Sequence, residues 1–306
     1  MILCCGEALI DFLPRETKDG ALAYQPFSGG SVFNTAIALG RLGIKTCFLG
    51  GLSTDFFADQ LRATLDASHV DYSFSPVSDR YTIAAFVKIT DGHARYVFVD
   101  EGSACRSITV EQLPVLSADI TALHMGSIPL IPEPSGTTFE TLCRRESPSR
   151  VISFDPNIRA GLIKDKPAHV ARMARLAGMA DLVKLSDEDM AWLAPGASEA
   201  AFAEDWLKLG AGIVTITRGG DGATAYTKRF KADVAPVKVK IADTVGAGDT
   251  FTAGTLAALS AAGLLTKPAL ATINQAALEK ALAFAARAAA VTCSRPGADP
   301  PWAREL

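Results

Sequence analysis

The stretch "DTVGAGDTF", Asp243–Phe251, holds the densest chemistry in the chain. Three small residues, Gly246, Ala247 and Gly248, separate Val245 from Asp249, and a helical pattern follows at once. Backbone N–H groups at a glycine turn and a helix N-terminus form an anion site, and the helix dipole adds to the attraction. An acid there would repel an anion that merely binds. It makes sense where the anion is a phosphoryl group in transfer, because the attacking alcohol must lose a proton and a neighbouring carboxylate can accept it. On the residues alone a second reading stands equally: Asp249 capping the helix that begins near Thr250.

The rest of the chain bounds the choice. Its 306 residues, 49% hydrophobic and 21% charged, suit a globular protein with a large core. A formal charge of −3 without a long Lys/Arg cluster argues against a nucleic-acid partner. The start, "MILCCGEALIDFLP", carries Glu7 and Asp11 and no basic leader, so it does not read as a signal peptide. The apolar stretches are too short for a membrane span. Cysteines at 4, 5, 47, 105, 143 and 293 show no metal-ligand spacing and read as reduced thiols, so a cytoplasmic location is expected. A Walker A loop is absent, and Asp249 stands where a dinucleotide-binding GxGxxG would meet pyrophosphate, which disfavours NAD.

Short β-branched runs alternate with helical patterns, which implies an α/β fold with a mostly parallel sheet covered on both faces. "MILCCGEALID" reads as one strand, with Cys4 and Cys5 pointing to opposite faces. "SVFNTAIALGRLG" reads as a helix closed by Gly43, and "TALHMGSI", "RVISFDPN", "ADLVKLS" and "GIVTITRG" as buried strands. Parts of 9–28 and 81–100 break the rhythm with strand pieces and no helix between them. The second piece reads as a hairpin turning at "TDGH". Together they suggest a small antiparallel sheet that serves as lid or dimer surface on a single 1–306 domain.

Two motifs together give a resemblance. "DTVGAGDTF" resembles the C-terminal signature of the ribokinase-like (phosphofructokinase-B type) carbohydrate kinases, and "SGGSVFNTAIALGRLG", Ser28–Gly43, resembles their N-terminal one. The likeness runs from Ile2 to about Trp302. It implies a ribokinase-like three-layer α/β/α domain and an ATP-dependent sugar kinase that uses Mg²⁺. By resemblance, Asp249 is the general base and Gly246, Ala247 and Gly248 the anion hole. Asp11, Gly30 and Asn34 are implied to hold the sugar. "ITRGGDGATAY" is similar to the nucleotide segment, placing Thr217, Gly219 and Gly222 there. Asp243 and the carbonyl of Val245 match a monovalent-cation position, which implies potassium dependence.

The chain also departs from the pattern. Where relatives carry Asn-x-x-Glu, "SDED" puts Ser186 near the nucleotide and Asp189 near magnesium-bound water, with Lys184 just upstream as a phosphate partner. Ser127 stands where ribose kinases have Glu, which argues against ribose. Ala286 replaces a polar residue near adenine. "SFDPNIRAG", "CGEALIDFLP", "KLSDEDMAWL" and "RPGADPPW" resemble bacterial fructokinases, with Arg159 reaching sugar or phosphate. "YVFVDEGSA" adds Phe98 as a ring contact, and its acids Asp100 and Glu101 would disfavour an acidic sugar. Fructose phosphorylated at its 6-hydroxyl is the expectation. A 2-keto-3-deoxygluconate or other hexose kinase of the same fold is the alternative, followed by an inactive binding protein.

Overall fold

The structure, a computed structural model, describes residues 1–90 and 93–306. β1 (Ile2–Cys5), β2 (Leu9–Glu16) and β3 (Leu22–Gly29) lead into α1 (Ser31–Arg41). Then come β4 (Thr46–Leu49), β5 (Leu52–Ser53), α2 (Phe56–Ala67), β6 (Val70–Asp71), β7 (Val77–Ser78), β8 (Ile83–Thr90) and β9 (His93–Val99). The middle holds β10 (Ala122–Gly126), α3 (Ser135–Glu146), β11 (Val151–Asp155), α4 (Lys166–Met179) and β12 (Leu182–Ser186). After α5 (Asp187–Leu193) and α6 (Glu199–Leu209) come β13 (Ile213–Thr217), β14 (Ala223–Tyr226) and β15 (Lys231–Val234). α7 (Ala247–Ala261), α8 (Lys267–Ala271) and α9 (Gln275–Cys293) come last.

Nine strands form the main sheet in the order β15-β14-β13-β12-β11-β10-β1-β4-β6. From β6 to β13 the pairing is parallel, and only β14 and β15 turn antiparallel. β1, β4, β10 and β11 are buried at every position, as strands covered on both faces must be. Cys4 packs with α1, α7 and α9 residues on one side, and Cys5 with α3 and α4 residues on the other. That is the three-layer α/β/α arrangement, with the alternation expected of those two thiols.

The single strand expected over residues 1–11 is split. At Gly6 an added Cβ would lie 2.4 Å from Val32 Cβ, so the chain passes directly against α1 and then bends away. β2 therefore belongs to a second sheet, ordered β3-β2-β8-β9. Each hairpin in it is antiparallel, but β2 and β8 join in parallel, so the small sheet is mixed rather than antiparallel throughout. The cause is connectivity. Hairpins force antiparallel neighbours, whereas the long passage through α1 and α2 returns β8 to start beside the start of β2. The "TDGH" turn has its central residues, 91 and 92, outside the described residues.

Register assigns the faces of this sheet. Asp11 pairs with Ala85, which pairs with Phe98, putting all three on the face towards the main domain. Phe12, Phe86 and Val97 form the opposite face by the same register. Phe12 and Phe86 stack there with ring centroids 4.7 Å apart.

Candidate active site

The turn before α7 is built to leave donors open. Gly246 has φ 76°, a left-handed conformation that side-chain-bearing residues avoid, and it supplies no side-chain cap. Ala247 N–H donates to Thr244 O at 3.3 Å. The N–H groups of Gly246, Gly248 and Asp249 find no acceptor among the described residues. Three unsatisfied donors thus lie at the positive end of a 15-residue helix. Within the 246–249 turn the unsatisfied amides are those of Gly246, Gly248 and Asp249, while that of Ala247 is engaged by Thr244 O.

Asp249 does not cap its helix. Its Oδ1 accepts from Ser31 Oγ at 2.7 Å and its Oδ2 from Asn34 Nδ2 at 2.9 Å, both on α1. Asn157 Nδ2 lies 3.5 Å from the same Oδ1 and donates to Ser31 Oγ at 2.6 Å. Burial pushes the Asp249 carboxyl above its ordinary range, while the Asn34 and Ser31 hydrogen bonds and the Lys184 ammonium pull it back. Lys184 sits beneath the turn: an added Cβ on Gly248 would lie 2.8 Å from its Nζ. Burial favours the neutral amine, yet Asp155, whose Oδ2 is 3.0 Å away, together with Asp249 and Asp189, holds Lys184 above its usual pKa. A fixed positive charge therefore underlies the open N–H groups.

In front of Asp249 lies a cavity of about 830 Å³ whose walls include Glu7, Asp11, Gly30, Asn34, Phe98 and Arg159. The five sugar-binding residues expected from sequence meet in this one space, with Gly246, Gly248 and Asp249 on its wall. Gly30 has φ 110°, and a Cβ there would meet Glu7 O at 2.7 Å, so only glycine fits the approach. Asn34 donates its amide N–H to Asp249, and its side chain lines the same cavity. Burial raises Asp11 to about 6 despite the nearby Arg159 guanidinium. Arg159 itself donates to the carbonyls of Asn157 and Ile158.

The expected nucleotide residues lie apart, along the next two strands. Ser186 and Thr217 are register neighbours at the ends of β12 and β13, and Thr217 Oγ1 donates to Leu185 O at 3.3 Å. Gly219 and Gly222 take φ 51° and 86° in the turn that follows. Ser186 and Asp189 form a capping box for α5, and Asp189 also accepts from Ile158 N at 2.8 Å. Among the described residues no three acidic, Cys or His side chains cluster as a metal site. Asp243 accepts from Thr244, Val245 and Gly297 N–H, tying the turn to the loop after α9. The Val245 carbonyl accepts nothing among the described residues, which suits a cation.

Other placements differ from expectation. Asp100 and Glu101 line an adjoining cavity of about 590 Å³ rather than the first, because the chain turns at Ser103 immediately after β9. Asp100 is paired there with Ser103 and Arg106. Ala286 packs against the core on α9. Sequence reading missed Glu7, Ser31, Asp155 and Asn157. Asn157 lies in the quoted "DPN", and its φ of 41° marks a strained turn, but nothing local points it at Asp249.

The chain is 53% identical to a fructokinase of Rhizobium leguminosarum bv. trifolii over 91% of its own length and 85% of that protein's. A fructokinase from Xylella fastidiosa solved with bound ATP superposes with a TM-score of 0.90 at 28% identity, covering 97% of this chain and 93% of the other. A fructokinase from Vibrio cholerae O395 gives a TM-score of 0.84 with fructose, ADP and calcium bound, at 26% identity over 97% and 94%. A double mutant of it, with fructose, ADP and potassium, gives 0.86 at 25% over 97% and 93%. The pfkB family carbohydrate kinase pattern matches residues 1–304, and with these likenesses the chain belongs to that family.

Proposed function

We propose that this kinase transfers the γ-phosphoryl group of ATP to the 6-hydroxyl of fructose. The observation that carries the reading is the row of open N–H groups at Gly246, Gly248 and Asp249 on the wall of a cavity shared by Asp11, Asn34 and Asp249. Asp11 and the Asn34 side-chain oxygen accept from sugar hydroxyls, Gly30 gives the ring close access, and Phe98 and Arg159 cover it. The 6-oxygen attacks the γ-phosphorus, its proton passes to Asp249, and ADP leaves with the bridging oxygen. The residue 246–249 turn and the Lys184 charge stabilise the oxygens that gain charge in transfer. Asp189 would hold a water of the Mg²⁺ ion that accompanies ATP, and that ion would supply charge neutralisation on the phosphates. Lys184, Ser186, Thr217, Gly219 and Gly222 form the nucleotide side.

Potassium is read at Asp243 and Val245, where it would stiffen the turn. The fructokinase likenesses support the sugar, and potassium in one of them supports the cation. The small sheet acts as a lid that excludes water on closure. Its outer face carries Phe86, Val97 and Val99, all exposed, which supports a homodimer through the lid. Phosphorus NMR of the product tests the regiochemistry. Phosphate on carbon 6 is expected, and phosphate on carbon 1 would refute the reading.

A further inference from the structure

Helix α1 begins in an unusual way. Its N-cap is Gly30, which has no side chain to cap the helix, and no acidic residue lies in the first turn. The first N–H, that of Ser31, is satisfied from another segment: Glu7 Oε1 accepts it at 2.6 Å. Glu7 is 1% exposed, and its second oxygen, Oε2, is buried without a partner. The Ser31 hydroxyl donates to Asp249 Oδ1 and accepts from Asn157 Nδ2. A continuous chain of contacts thus runs from Glu7 through Ser31 to the carboxylate that faces the anion-binding turn.

We infer that Ser31, seated by Glu7, is a positioning residue for the Asp249 base. This rests on the reading of Asp249 as base and adds how it is held. A carboxylate on a helix can swing about two side-chain torsions. Asn34 fixes one oxygen and Ser31 the other, so the lone pairs left over point into the cavity. Glu7 matters because it fixes the backbone from which Ser31 reaches. A carboxyl group at a helix N-terminus does this through one acceptor atom, which glutamine also has.

The charge environment gives the pH consequence. Facing Asp249 are Ser31 and Asn34 from α1, Asp155 and Asn157 from β11 and its following turn, and Lys184 from β12. Asp11 from β2 and Arg159 lie across the cavity, with Glu7 behind Ser31. Of these, Ser31 makes the shortest hydrogen bond to the ionised form, at 2.7 Å against 2.9 Å for Asn34 and 3.5 Å for Asn157. Hydrogen bonds to the charged form favour it, so deleting the hydroxyl raises the Asp249 pKa and moves the acidic limb of the rate profile to higher pH. A lost hydrogen bond to a charged acceptor corresponds to a rate effect of about ten- to a hundredfold.

The test measures kcat, KM for fructose and the pH profile of full-length wild type, Ser31→Ala, Glu7→Ala and Glu7→Gln with Mg·ATP. Expected for Ser31→Ala are a kcat about ten- to a hundredfold lower, a fructose KM changed less than about threefold, and an acidic limb shifted upward. Glu7→Ala should move in the same direction, and Glu7→Gln should recover most of that loss. Should Ser31→Ala not fold, Ser31→Cys keeps the volume and weakens the donor. Unchanged kcat and limb, a loss confined to KM, or Glu7→Gln as damaged as Glu7→Ala would each overturn the inference. Asp249→Asn run alongside separates the two claims: if it retains turnover the base reading itself falls, whereas a silent Asp249→Asn with a wild-type-like Ser31→Ala removes only this inference.

Discussion

Asp11 and Asp249 face one cavity, and burial raises both carboxyls, but their partners differ. Asp249 has hydrogen-bond donors in Ser31, Asn34 and, at 3.5 Å, Asn157, with a buried ammonium nearby, whereas Asp11 has only the Arg159 charge to oppose desolvation and settles at about 6. Asp11 should therefore take up a proton as pH falls through about 6 and lose acceptor capacity for sugar hydroxyls. The expected outcome is a fructose KM that rises below about pH 6, with Asp11→Asn high at all pH values and flat. Its folded pKa lies above the unfolded value, so protonation of Asp11 stabilises the fold as pH falls from about 6 towards 4. The KM rise therefore cannot come from acid unfolding driven by this group. A wild-type KM independent of pH between about 5 and 8 would contradict the assignment. This residue was legible in sequence as an acid at the end of an apolar run. Its altered pKa was not, because desolvation comes from the cavity and not from neighbours in the chain.

At the scale of elements, the start of α7 joins three functions in four residues: left-handed turn, open donors and base. Gly248 is the point closest to the ammonium, since an added Cβ would stand 2.8 Å from Lys184 Nζ. That ammonium is pinned to Asp155 and cannot retreat freely. Gly248→Ala should leave the helix intact, since alanine is the better helix former. The displaced Lys184 should still lower kcat by about tenfold or more, an electrostatic loss of at least about 1.4 kcal/mol. Normal turnover in this variant, with unchanged circular dichroism, would show that the Lys184 position is immaterial. The glycine turn and the helix after it were plain in "VGAGDTF", because φ above zero and helix propensity are local properties. The break at Gly6 was not, because it is set by Val32 of α1. The Ser31–Asp249 bond spans 218 residues, a distance at which only the folded sheet brings partners together. Asp189 shows the opposite case: its capping box with Ser186 is a local pattern that sequence could have supplied.

Across the whole molecule, the parallel sheet presents its strand ends to the site, and the small sheet stands over the sugar cavity. Alternation of strand and helix made the large sheet readable. The small sheet was readable only as strand pieces and one hairpin, since the parallel junction of β2 and β8 depends on the path of residues 30–82 between them. Its outer face should pair two copies if the dimer reading holds. Val97, 65% exposed at the centre of the β9 edge strand, is the position to charge. Sedimentation should give a dimer for wild type and a monomer for Val97→Asp, while a wild-type monomer would remove the dimer from the account. The central claim, fructose phosphorylation with Asp249 as base, is tested most directly by ADP release with Mg·ATP. Fructose, ribose, glucose and 2-keto-3-deoxygluconate would be assayed with wild type and Asp249→Asn. Fructose should lead by a wide margin, with the variant slower by about a thousandfold on it. Another sugar in the lead, or an Asp249→Asn variant close to wild type, would contradict it.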